Sequence, residues 1–119
     1  MAELKKYEGS CHCGKVHWEA SIDLSHVIDC NCSYCQRKGS ILAFIPGDSF
    51  KLLKGDDALT EYKFNKKAIS HVFCSTCGVQ SFARGKKPDG TPMIAINVRC
   101  IPDVDPWKLN VTHYDGKNS

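Results

Sequence analysis

No stretch of this 119-residue chain approaches the roughly 18–20 apolar residues of a membrane-spanning helix, so a membrane partner is not expected. The opening residues, MAELKKYEGS, lack the apolar run of a secretion signal. The expectation is a cytoplasmic protein in a reducing compartment. Clustered positive charge is missing as well, since the sixteen Lys and Arg are spread along the chain. The formal net charge is +3, and the densest basic runs are the pairs Lys5-Lys6, Lys66-Lys67 and Lys86-Lys87, read as solvated loop tips. Nucleic-acid surfaces usually carry a clustered basic stripe, so nucleic acid is not the expected partner. A mildly positive surface would suit a small anionic substrate. Internal repeats, low-complexity tracts and linkers are missing, and residues 1–119 read as a single domain. His12, His17, His26 and His113 show no ligand spacing such as H-x-x-x-H and are read as surface or packing residues.

Helix signals are nearly absent, and short strand-like runs separated by turn residues dominate. KVHWEAS alternates, with Val16, Trp18 and Ala20 on one face. HVIDC, SFKLLKG, LTEYKF, AISHVFC, CGVQSFAR and MIAINV follow the same style. ILAFI, Ile41 to Ile45, is continuously apolar and reads as a buried strand stopped by PGD. The tail DPWKLNVTHYDG could add an edge strand. Only SYCQRKGS suggests a helical turn, with Ser33 as its cap. The prediction is an all-β fold of eight or nine short strands in coiled antiparallel sheets, either a sandwich or a partly open barrel.

What the chain has in excess is cysteine, eight in 119 residues. An even count permits disulfides, but in a reducing compartment clustered cysteines more often bind metal or do chemistry. FCSTCGV carries Cys74 and Cys77 in the C-x-x-C-G form of a zinc knuckle, with Gly78 free to take a positive φ. A thioredoxin-type redox motif would need a βαβ context that is missing. SCHCGK carries Cys11 and Cys13; if extended, both sulfurs face one side while His12 points away. Together Cys11, Cys13, Cys74 and Cys77 form a complete tetrahedral set, with a structural role. The third group, DCNCSYCQRK, places Cys30, Cys32 and Cys35 within six residues. Three converging thiolates suit a borderline cation, and catalytic zinc sites commonly leave a fourth position open. Cys100 or His71 could instead close the site. Arg37, Lys38 and Arg99 are close enough in sequence to meet a carboxylate, although each reads as a solvated surface residue.

An open thiol-rich site could take a substrate thiol, lower its pKa and hold it as a nucleophile beside a carbonyl, giving a hemithioacetal. GSCHCGKV, CNCSYCQRKG, FCSTCGVQSF and INVRCIPDVD resemble, in order and spacing, the motifs of the glutathione-dependent formaldehyde-activating family, which also includes centromere protein V. The resemblance runs from Gly9 to about Asp105. It implies a β-tent of coiled antiparallel sheets with zinc knuckles, very little helix, and two zinc ions per chain. By position, Cys11, Cys13, Cys74 and Cys77 would hold a structural zinc, and Cys30, Cys32 and Cys35 a looser catalytic one. The implied activity is that of a carbon–sulfur lyase resembling S-(hydroxymethyl)glutathione synthase, joining glutathione to a small aldehyde. The alternatives are a zinc-stabilised module for protein or chromatin binding and a thiol- or redox-responsive zinc protein.

Overall fold

The computed structural model describes residues 4–63 and 69–118. Phe64, the NKK turn and the Lys66-Lys67 pair therefore lie outside the described residues. Strand β1 (Lys5–Ser10) turns back into β2 (His17–Ile22), and β5 (Phe50–Lys54) pairs on the other side of β2. The predicted alternation holds in β2: Trp18, Ala20 and Ile22 are buried, while His17, Glu19 and Ser21 are not. Lys5 and Lys6 lie within β1 rather than at a loop tip, though both are exposed.

The second sheet has seven strands. Its spatial order is β10 (Val111–Tyr114), β3 (Val27–Cys30), β4 (Leu42–Pro46), β9 (Pro92–Asn97), β8 (Phe82–Lys86), β7 (Ser70–Cys74) and β6 (Leu59–Tyr62). Ten strands are thus present among the described residues, against eight or nine predicted. The tail does form an edge strand, but β10 runs parallel to β3; every other pairing is antiparallel. One short helix, α1 (Ser33–Lys38), follows β3. Its cap is Cys32 rather than Ser33: Cys32 has extended backbone and its side chain accepts from the Cys35 N–H.

The core lies between the inner faces of the two sheets. Trp18 is fully buried and its ring meets Phe50, which in turn meets Phe82 at 4.7 Å between ring centroids. The indole N–H of Trp18 donates to Ser81 Oγ at 3.0 Å, so the largest core residue also satisfies its polar atom across the sheets. Gly9 lies opposite Trp18 in the β1–β2 ladder, where an added Cβ would run into the indole ring.

ILAFI departs from the prediction. Ile41, Ala43 and Ile45 are buried in the core, but Leu42 is partly exposed and Phe44 is 54% exposed. Strand alternation sends these two to the outer face. The register there forms a row across four strands, with His71 opposite Ala83, Ala83 opposite Ala95, and Ala95 opposite Phe44. Two small side chains between two large ones leave a hollow on the outer face of the large sheet.

Candidate functional site

Four cysteines meet where the β1–β2 turn reaches the β7–β8 turn. The sulfurs of Cys11, Cys13, Cys74 and Cys77 all lie within 4.8 Å of one another. Cys11–Cys13 and Cys13–Cys74 are each 3.6 Å apart, close to the ~3.8 Å edge of a tetrahedron with ~2.3 Å zinc–sulfur bonds. All eight cysteines are free thiols, so the disulfide reading does not hold. Gly78 takes the expected positive φ, 80°, and its N–H donates to the Cys74 carbonyl. The first pair is not extended, so the condition stated for it is not met. Cys11 to Gly14 form a turn, Gly14 has φ 84°, and the Val16 N–H donates to Cys11 Sγ at 3.4 Å. Thr76 N–H donates to Cys74 Sγ at 3.4 Å in the same way.

These thiols pull one another's ionisation in opposite directions. Burial opposes ionisation of Cys77, but the backbone N–H groups of Cys13 and Val79 and the thiols of Cys74 and Cys11 bring it down to about 6. For Cys13 the Lys15 backbone favours the thiolate, yet desolvation and the thiols of Cys74, Cys11 and Cys77 push it up to about 11. Thiols arranged this way share protons, and they lose them together only against a cation. The donor set fits a zinc ion.

The second cluster is built by the junction of β3 and α1. Cys30 closes the strand, Cys32 caps the helix, and Cys35 sits one turn on. Their sulfurs lie within 4.8 Å of one another. Backbone N–H groups of Cys32 and Cys35 donate to the sulfurs of Cys30 and Cys32, each at 3.4 Å. Burial resists ionisation of Cys32 but is outweighed by the Cys35 backbone N–H and the neighbouring thiols, so its pKa falls. Burial and the Cys32 and Cys30 sulfurs push Cys35 up to about 12. This donor set also fits a cation, and among the described residues no fourth Cys, His, Asp or Glu joins it. Cys100 lies in a short 3-10 turn with its sulfur 3.9 Å from the Gln80 carbonyl oxygen. Burial pushes its thiol up to about 11. His71 is buried on β7 with its ring 4.3 Å from that of Tyr34. Neither closes the triplet.

Two cavities open on this cluster, and Cys30 and Cys35 line both. One, of about 690 Å³, is the more polar of the two and includes Cys30, Cys35, Arg99, Trp107, His113 and Asp115 in its lining. Arg99 forms no ion pair among the described residues. His113 Nδ1 lies 2.6 Å from Asp29 Oδ1. The amides of Asn118 and Asn31 hold the Asp115 carboxyl below its usual range. The other cavity, of about 440 Å³, is the hollow on the outer face of the large sheet, and all three triplet cysteines line it. Its buried polar wall is organised around Gln80: Tyr34 donates its hydroxyl to Gln80 Oε1 at 2.6 Å, and Asn97 Nδ2 donates to the Gln80 carbonyl at 3.0 Å. Burial, and secondarily the Lys38 charge, lowers the His71 pKa and keeps the ring neutral near pH 7. Lys38 is not simply solvated. It is partly buried, 5.7 Å from the Tyr34 ring centroid, and burial lowers its pKa. Arg37 does sit at the surface, bonded to the Ser33 carbonyl.

The family model for glutathione-dependent formaldehyde-activating enzymes matches residues 6–116. The chain belongs to this family. Among solved structures, a Rhodobacter sphaeroides protein matches with a TM-score of 0.77 at 28% identity, over 88% of this chain and 99% of that one. The glutathione-dependent formaldehyde-activating family ties the chain to glutathione-related, formaldehyde-activating chemistry, and its two cysteine groups could hold metal. Among the described residues no helix is long and apolar enough to cross a membrane. Several features of the site went unseen in the sequence: Gln80 in the wall with Tyr34 bonded to it, and Trp107 and Tyr114 around the cavities. Their segments meet only through long-range pairing. Tyr114 gave one weak signal, since the tail was legible as a strand.

Proposed function

We propose that the protein is a zinc-dependent carbon–sulfur lyase of the S-(hydroxymethyl)glutathione synthase type. It joins a thiol, glutathione being favoured, to an aldehyde beside Cys30, Cys32 and Cys35. The observation that carries this reading is the three-sulfur cluster with no fourth protein donor among the described residues, of which Cys30 and Cys35 line both cavities. Zinc bound there would supply the positive charge that lowers a substrate thiol's pKa. Cys11, Cys13, Cys74 and Cys77 hold the second, structural ion.

The chain's own residues bind and orient. The Arg99 guanidinium, which forms no ion pair among the described residues, donates to a substrate carboxylate, a charge-assisted contact suited to glutathione's two carboxylates. Asp115, held as its anion by two amides, faces the same cavity and suits the ammonium group. In the reaction a sulfur–carbon bond forms, the carbonyl π bond breaks, and the thiol proton ends on the carbonyl oxygen. His71, neutral and in the wall of the apolar cavity, is the group to carry that proton.

The test is zinc content and turnover together. Two ions per chain, with the triplet's ion perturbed by reduced glutathione, are expected, and Cys32→Ser should remove both that ion and activity. Unchanged turnover in Cys32→Ser would return the protein to a non-catalytic interaction module or a thiol-responsive zinc protein.

A further inference from the structure

We infer that the carbonyl partner of this site is an aldehyde with an apolar body of about five to eight carbons, seated in the outer-face cavity. This rests on the lyase reading above and names its second substrate. Formaldehyde needs little more room than one or two waters, each about 30 Å³ of liquid volume, and the cavity holds about 440 Å³. That is within the size range of sites that enclose a small organic ligand. Its lining is mostly apolar, from Ile28, Leu42, Phe44, Ile69, Phe82 and the two alanines.

Its shape is a product of the strand register. Ala83 and Ala95 are cross-strand neighbours, flanked by His71 on one side and Phe44 on the other. Ala95 alternates with Ile94 and Ile96, which are buried in the core, so its methyl faces the cavity and not the core. Phe44 and Ile69 remain 54% and 48% exposed at the rim, an apolar surface that an unliganded fold gains nothing by displaying. Among its polar lining residues Ser40, His71, Gln80 and Asn97 are buried.

The position decides what such a ligand would do. Cys30 and Cys35 line both cavities. A thiol anchored in the polar cavity and a carbonyl carbon at the inner end of the apolar one would meet at the triplet. Addition of the S–H across C=O then gives a hemithioacetal, with no oxidant or reductant required. The apolar tail stays in the hollow, over Ala83 and Ala95.

The test uses the full-length zinc-loaded protein with glutathione and the straight-chain aldehydes from formaldehyde to octanal. The kcat/KM should rise about fourfold per methylene up to about hexanal, the factor for burying one CH₂. Hexan-1-ol, an unreactive mimic, should compete with hexanal and move the methyl resonances of Ala83 and Ala95. Filling the hollow with Ala95→Leu should lower the hexanal-to-formaldehyde ratio of kcat/KM at least tenfold. Phe44→Asp, at an exposed rim position, should lower it too, and thermal melting checks that both variants are folded. Formaldehyde turned over as well as any longer aldehyde, with hexan-1-ol leaving both methyls unmoved, would overturn this inference and leave the lyase reading standing. No turnover of any aldehyde, formaldehyde included, would sink both. A dimer in sedimentation that buries these methyls would assign the face to a second copy and overturn the inference as well.

Discussion

Gly116 offers a way to disturb the triplet without touching a ligand. It opens a short 3-10 turn after β10, and a Cβ built on it would lie 2.5 Å from Cys30 Sγ. Gly116 is not among the glycines with positive φ, so an alanine meets no backbone penalty and its whole effect is steric. Non-bonded heavy atoms settle at about 3.5–4.0 Å, so Gly116→Ala requires the methyl and the sulfur to separate by about 1 Å. The ring of Tyr114, 3.4 Å from the same Cβ, limits escape on one side. A metal site tolerates about 0.2 Å in its ligand distances, so a displacement of this size should cost about 10–100-fold in metal affinity at Cys30, Cys32 and Cys35, the range for a change just outside the ligand shell. Cobalt(II) titration, followed by thiolate-to-metal charge transfer, resolves the two sites by order of filling. Cys11, Cys13, Cys74 and Cys77 should fill as in the parent, and the triplet should fill later. Equal filling of both sites, at parent affinities, would refute the packing of Gly116 against Cys30 and the argument built on it.

Other changes address separate parts of the molecule. Gly9→Ala should lose about 2 kcal/mol through overpacking against the fully buried Trp18, seen as a lower urea midpoint with zinc content unchanged. Arg99→Ala should raise KM for glutathione about tenfold, the lower end for loss of a hydrogen bond to a charged group, with a smaller effect on kcat; a parent-like KM would remove Arg99 from the binding reading. Tyr34→Phe strips Gln80 Oε1 of its 2.6 Å donor and should cost about 1–2 kcal/mol of stability, measured by thermal unfolding. Chelation of the four-cysteine site opens a cross-link between residues 61 apart in sequence, worth about 4 kcal/mol on a loop-entropy argument. It should therefore destabilise the fold far more than Cys32→Ser does, by denaturant titration of each.

Features set by near neighbours were legible in the sequence. The C-x-x-C-G knuckle with its positive-φ Gly78, the alternation through Trp18 and the step from Cys30 to Cys35 all depend on a few adjacent residues. The condition that Cys11 and Cys13 be extended is not met, because Gly14 and the Val16 N–H make a turn there instead. ILAFI shows a different limit. Five apolar residues look alike to a hydropathy argument, and only the sheet register separates Ala43 and Ile45, facing the core, from Leu42 and Phe44, facing the cavity. The parallel β10–β3 pair and the polar cavity bring residues about eighty positions apart together. Local patterns carry no information about such meetings. Lys38 reads as a solvated surface residue, yet it lies one helical turn after Tyr34 in α1 and over that ring, an i, i+4 contact that becomes legible once the helix is recognised.

The two tryptophans sit at opposite extremes, Trp18 at 0% exposure in the core and Trp107 at 91% on the rim of the polar cavity. They give the protein two built-in optical reporters. The indole of Trp18 emits from a dry environment and brackets the global transition, whereas Trp107 emits from water, a few residues from Arg99. In a Trp107→Phe variant, the blue emission that remains follows unfolding alone. In Trp18→Phe, a change on adding glutathione would come from the mouth of the cavity. Stability and occupancy can then be read in one cuvette without a label.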